Sequence, residues 1–130
     1  GIFDVIATDH APHTAFEKNQ DFASAPFGIT GLENEFATFH DILVHKRRVI
    51  DLPRLIALYT SEPAKLLKLD RGTLSPGVPA DITLIDPNLD WTFDKTTSLS
   101  LSKNTPFHGH TWRGRAVRTI VSGETVWSLS

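Results

Sequence analysis

A chain of 130 residues, 40% hydrophobic and 22% charged, has the make-up of one ordinary folded domain, and its composition permits a sizeable core. The formal charge of −2, from 13 basic and 15 acidic residues, and the absence of any basic run longer than Lys46-Arg47-Arg48 argue against nucleic acid as a partner. With no cysteine, disulfides and thiolate metal sites are excluded and His, Asp and Glu remain as candidate ligands, while no apolar segment approaches the roughly 20 residues that span a bilayer. A soluble protein with no membrane association is expected, and a cytoplasmic location is compatible with it. The chain contains no methionine and begins almost directly with a strand-like run, which reads as a piece of a longer protein.

Taken in order, Ile2-Phe3-Asp4-Val5-Ile6-Ala7 is short and rich in β-branched residues, as a buried strand is. It runs into Thr8-Asp9-His10-Ala11-Pro12-His13, so an acid and two histidines stand where a strand gives way to a loop. In parallel α/β architectures such loops carry active sites. Pro12 stiffens the loop and holds Ala11 extended, which sets the distance from Asp9 to His13. Asp9 can ligate a divalent metal or move a proton, or merely cap the following loop through backbone amides. His13 can bind an anion or a metal, or be an ordinary loop histidine.

Residues 14–31 show no sustained period and read as a long functional loop. Glu33 to Lys46 places Phe36, Phe39 and Leu43, with Ile42 and His40 one position off, at helical spacing. Pro53 opens a second helix to about Thr60, and Ser61-Glu62-Pro63-Ala64 caps a third that runs to about Leu69 and ends at Asp70-Arg71-Gly72. Beyond Gly72 the period changes. Ala80 to Asp86 alternates like a strand that Pro87 stops, and Asp90 to Phe93 is a second short strand. Lys103 to Gly114 reads as a loop, followed by a hairpin of Ala116 to Val121 and Thr125 to Trp127 around Ser122-Gly123-Glu124. The first strand lacks an obvious neighbour on either edge, so its partners are expected upstream of this chain.

Asp4 to His13, followed by Ala25-Pro26-Phe27-Gly28-Ile29-Thr30-Gly31-Leu32-Glu33, closely resembles the end of the barrel in dihydroorotases of the longer bacterial type, within the amidohydrolase superfamily. Gly72 to Gly77 with Ala80-Asp81, then Ser102 to Phe107, then Gly114 to Val126 resemble later segments of that family in family order. The resemblance implies an α/β fold: residues 1–71 as the C-terminal portion of a (β/α)8 barrel (last strand, active-site loop, closing helices) and residues 72–130 as strands of a small β-domain. It implies that Asp9 is a metal ligand and the catalytic proton shuttle, that His13 contacts the substrate carboxylate, and that Phe27 and Gly28 touch the substrate ring through their backbone, where glycine permits close approach.

The activity so implied is the zinc-dependent, reversible hydrolysis of dihydroorotate to N-carbamoyl-aspartate in pyrimidine biosynthesis. Alternatives are a hydantoinase, dihydropyrimidinase or allantoinase, which usually lack a histidine at the position of His13, and a non-catalytic subunit that scaffolds aspartate transcarbamoylase. The family's His-x-His after the first barrel strand, its bridging ligand and its later histidines have no match in this chain. One aspartate does not hold a catalytic metal, so the isolated chain is expected to be inactive and to need the N-terminal part of the same protein. A homo-oligomer is expected. His108-Gly109-His110 follows the late loop rather than a first strand and reads as a solvent-exposed pair. His10, His40 and His45 read as packing or solvated residues, and Trp91, Trp112 and Trp127 as core or interface.

Overall fold

Residues 2–129 are described by a computed structural model. Four α-helices and a π-helical segment precede three strands that form one antiparallel sheet in the order β1-β2-β3, so the chain is α/β with a small antiparallel sheet.

The strand read at Ile2–Ala7 differs from expectation. Residues 2–14 lie in no ladder, and Phe3 is 77% exposed. The segment instead runs beside a helix, with Ile6 N–H donating to Leu58 O at 3.2 Å and Arg54 Nη2 donating to Phe3 O at 3.0 Å. A strand needs an extended neighbour to pair with, and among the described residues none forms a ladder with this one.

Residues 14–31 are not one continuous loop. Helix α1, Ala15–Lys18, is short but closed by a capping box: Thr14 Oγ1 accepts from Glu17 N–H at 3.2 Å while Glu17 accepts from Thr14 N–H at 2.7 Å. The Thr-x-x-Glu spacing is the signal for it. These contacts hold the Glu17 carboxyl below its ordinary value, the Thr14 backbone bond contributing most.

The helix read across Glu33–Lys46 forms in two parts. Helix α2, Glu35–Phe39, passes into a π-helical segment, His40–Lys46. The wider turn inserts one residue into the register, so His40 and Asp41 both face inward at 3% exposure while Ile42 turns outward. The Lys46 ammonium meets the Asp41 carboxylate at 2.5 Å, which supplies the charge partner a buried acid requires. Helix α3, Leu52–Tyr59, starts at Asp51, whose Oδ1 accepts from Arg54 N–H at 2.8 Å, with Pro53 in its first turn. Helix α4, Ser61–Leu67, has Thr60 rather than Ser61 at its cap and ends at Lys68 in a left-handed conformation, ahead of the expected Asp70-Arg71-Gly72. Leu55 and Leu58 of α3 and Ala64 of α4 are buried.

Strand β1, Ile82–Thr92, joins the two short strands read separately. Pro87 does not end it. The pairing with β2, Thr111–Val121, skips from Asp86 opposite Arg115 to Asp90 opposite Arg113, so the proline sits in a bulge where its missing N–H costs no ladder bond. Asp86 Oδ1 accepts from Asn88 N–H inside that bulge, at 2.8 Å. Strand β2 begins before Gly114, within the expected loop, and turns into β3, Glu124–Ser128, through Ser122 and Gly123, both at positive φ as a type I′ hairpin requires. Trp112 from β2, Phe93 just beyond β1 and Ala37 from α2 form an aromatic-rich core, with Trp91 and Phe107 packed on it. The three tryptophans divide as packing residues do: Trp112 is buried, Trp91 covers it and carries the Arg115 guanidinium 4.3 Å above its ring, and Trp127 borders a groove described below.

Candidate functional site

The stretch from Asp9 to His13 and the stretch from Pro26 to Thr30 are laced together. Ala11 N–H donates to Ile29 O at 3.0 Å, and the Lys18 ammonium donates to Pro26 O at 2.8 Å and Gly28 O at 3.2 Å. His10 Nδ1 accepts from the backbone amides of Gly31 at 3.0 Å and Leu32 at 3.3 Å, so this histidine turns back into the protein as a structural residue.

His13 and Gly28 come together. A Cβ placed on Gly28 would lie 3.6 Å from His13 Nε2 and 2.4 Å from Ala11 Cβ, and Gly28 has φ +105°, so both space and backbone conformation demand glycine here. The His13 ring is half-buried, with the Glu17 carboxylate 4.0 Å from its Nδ1. Phe27, beside Gly28, is 95% exposed. Asp9 adopts φ 44° at the bend where the extended run turns, a conformation aspartate tolerates better than most residues. Its side chain is exposed and makes no hydrogen bond or ion pair among the described residues, so it does not cap the loop as one reading allowed. The structure thus brings His13, Gly28 and the Phe27 backbone into one place, with Asp9 on the same connection but without a contact to them.

These residues do not complete a metal site. Asp9 offers one exposed carboxylate, and among the described residues no group of three His, Asp or Glu side chains comes together to hold an ion. His108 and His110 are exposed on a turn. The Asp94 carboxylate lies 3.5 Å from His108 Nδ1, and the His110 ring packs against Phe107 and Trp112. His40 is buried with its Nδ1 2.8 Å from Arg113 O, and His45 lies beside the Arg113 guanidinium.

A residue that sequence reading left in the late loop belongs to this site. The Asn104 side chain bonds to the main chain of His13, Ala11 and Gly28. Its only local signal is the Ser102 to Phe107 match, which carries no role for it. A concavity of about 770 Å³ lies elsewhere: between α2, α3 and the sheet, lined by Phe36, Ile56, Tyr59, Trp91, Arg115 and Trp127 among others, and by none of the candidate residues. Near it, Glu35 Oε1 and the Tyr59 hydroxyl are buried without a well-formed hydrogen bond. Burial pushes the Glu35 carboxyl upward; it also pushes the Tyr59 hydroxyl upward, with the neighbouring Glu35 charge adding to the effect.

The model of the amidohydrolase family matches residues 4–127. The dihydroorotase of Solibacter usitatus is 47% identical over 128 residues, which is 98% of this chain and 30% of that protein. The dihydroorotase of Bacillus cereus (strain B4264) is 50% identical over 127 residues, 98% of this chain and 29% of that protein. The chain therefore spans about 30% of the length of these relatives, and it matches their C-terminal part. Among solved structures, the L-hydantoinase (dihydropyrimidinase) of Arthrobacter aurescens superposes with TM-score 0.90 at 32% identity, over 100% of this chain and 31% of that one. The dihydropyrimidinase of Brevibacillus agri NCHU1002 gives TM-score 0.87 at 26% identity, over 98% and 29%. By the match of residues 4–127, this chain belongs to the amidohydrolase family.

Proposed function

We propose that this chain is the C-terminal part of a dihydroorotase, its residues 1–71 completing a (β/α)8 barrel and residues 72–130 a small β-domain, and that it supplies one wall of the active site. The observation that carries the reading is the meeting of His13 with the Gly28 main chain, a cation or hydrogen-bond donor beside a glycine loop. Dihydroorotate presents a carboxylate on a cyclic amide. His13 binds the carboxylate and the Phe27-Gly28 backbone lies along the ring.

Opening the ring adds water to an amide carbonyl and breaks its carbon–nitrogen bond, so a proton leaves the water and reaches the departing nitrogen. Asp9, exposed at the end of its connection, carries that proton. Asp9 would hold a metal, zinc by the family resemblance, together with ligands from outside this chain, and the metal would supply activation of the attacking water. The isolated chain is accordingly inactive.

The test replaces Asp9 by Asn in a protein that joins this chain to the upstream part its relatives carry. Turnover of dihydroorotate is expected to fall by about 10² to 10⁴. Near wild-type turnover with unchanged metal content overturns the assignment. Hydantoin and allantoin are assayed alongside, since preference for either moves the protein to another cyclic amidohydrolase.

A further inference from the structure

Asn104 spends every polar atom of its side chain on the two loops that bear the candidate site. Oδ1 accepts from His13 N–H at 3.1 Å, while Nδ2 donates to Ala11 O at 2.9 Å and to Gly28 O at 3.3 Å. Its own carbonyl accepts from Thr30 N–H at 3.1 Å. The orientation of the amide is dictated by these partners, because two carbonyls require a donor and an N–H requires an acceptor. Asp would offer acceptors only, and Leu neither, so the position calls for a carboxamide. Bonds of this kind at 91 and 76 residues' separation from His13 and Gly28 join the late loop to both.

Mere proximity of the two loops does not need this residue. Ala11 N–H already bonds to Ile29 O, and Lys18 already binds Pro26 O and Gly28 O. What Asn104 adds is a rigid spacing at the two residues proposed to touch substrate. The geometry points to Asn104 as a positioning residue that holds the His13 main chain at a set distance from the Gly28 main chain, and so places the imidazole for a substrate carboxylate lying over the glycine loop. This rests on the reading of His13 and Gly28 given above. Asn104 touches no substrate itself; it acts through His13 and Gly28.

The experiment uses the protein that carries this chain together with its relatives' upstream part. Steady-state kinetics on dihydroorotate, metal content and thermal unfolding are measured for wild type, His13→Ala, Asn104→Ala, Asn104→Asp and the double variant His13→Ala with Asn104→Ala. Since a misplacement of about 1 Å costs up to about 100-fold, Asn104→Ala is expected to raise KM by about 10- to 100-fold, with kcat within about threefold and metal content unchanged. Residues acting through one another are not additive, so in the His13→Ala background the same substitution is expected to add less than about threefold. Asn104→Asp keeps the side-chain volume and the acceptor but lacks the donor; it is expected to behave like the alanine variant, and decides the matter if that variant does not fold. Wild-type KM in both Asn104 variants, an undiminished loss in the His13→Ala background, or metal lost in step with activity overturns the role of Asn104. A wild-type kcat/KM in His13→Ala alone overturns the reading of His13, and with it the role given to Asn104.

Discussion

Gly114 shows at the scale of one residue how closely the two halves of the chain are pressed together. It lies within β2 at φ +90°, and a Cβ there would stand 2.4 Å from His40 Nδ1. The imidazole has nowhere to go, since it is buried, stacked on Phe36 with ring centroids 5.8 Å apart, and bonded to Arg113 O. Gly114→Ala therefore forces both a left-handed alanine and a clash, and is expected to lower unfolding stability by about 2 to 4 kcal/mol, read from urea or thermal unfolding of the chain. A change below about 0.5 kcal/mol, the size typical of an ordinary surface substitution, would refute this account of the packing. At this scale the sequence was legible where a residue's role follows from its near neighbours. The Thr14-Glu17 box and the Asp51 cap, though local, lie in stretches that read as loop, whereas Pro53 opens α3 and the Asp9 to His13 stretch is recognisable as it stands. The Asn104 amide, the Lys18 strap and the His40-Gly114 contact are not, because their partners lie far along the chain or are main-chain atoms that any residue possesses.

The elements tell the same story through their interruptions. Helical periodicity identified the run of Phe36, Phe39 and Leu43, yet the π-helical turn at His40 changes which side chains face inward, and no local propensity marks that extra residue. Glu35 and Tyr59 are half-buried neighbours, with Glu35 Oε1 and the Tyr59 hydroxyl out of solvent, and burial raises the Glu35 carboxyl above its ordinary value of 4.5. A raised acid holds its proton more tightly when folded than when unfolded, so its contribution becomes unfavourable as pH rises past about 4.5 and stays so above the folded value. Glu35→Gln removes that penalty. Relative to wild type, its thermal midpoint is expected to gain more at pH 7 than at pH 4; a difference independent of pH would mean that the charge is not what burial opposes. In the sheet, alternation and turn chemistry located both ends of β1 and the hairpin, while Pro87 suggested a stop. A proline ends a strand only where its missing N–H would face a partner, and the bulge opposite Arg113 and Arg115 removes that partner.

For the molecule as a whole, surface area is the informative quantity. The chain exposes 9101 Å² at 14.4 kDa, whereas a compact monomer of that mass exposes about 6,800 Å². The excess goes with the open groove between α2, α3 and the sheet and with exposed Phe3, Phe16, Phe22 and Leu74. Apolar surface on this scale is normally covered. The isolated chain is expected to elute from size exclusion as dimers or larger species and to bind a hydrophobic dye; a dye-free monomer would show that the groove is satisfied as it is. Sequence by itself determined short-range features: the α3 helix, the Ser122-Gly123 turn, the change from helix to strand after Gly72, and the family to which the chain belongs. Each depends on residues within one or two turns of one another or on an order of motifs. Tertiary structure alone decided that the extended run before Asp9 lies in no ladder among the described residues, that β1 passes through Pro87, and that His13 and Gly28 share one anchor in Asn104. Those outcomes depend on which distant main-chain groups need a partner, and hydrogen-bonding demand of that kind is common to every residue and so leaves no mark in the sequence.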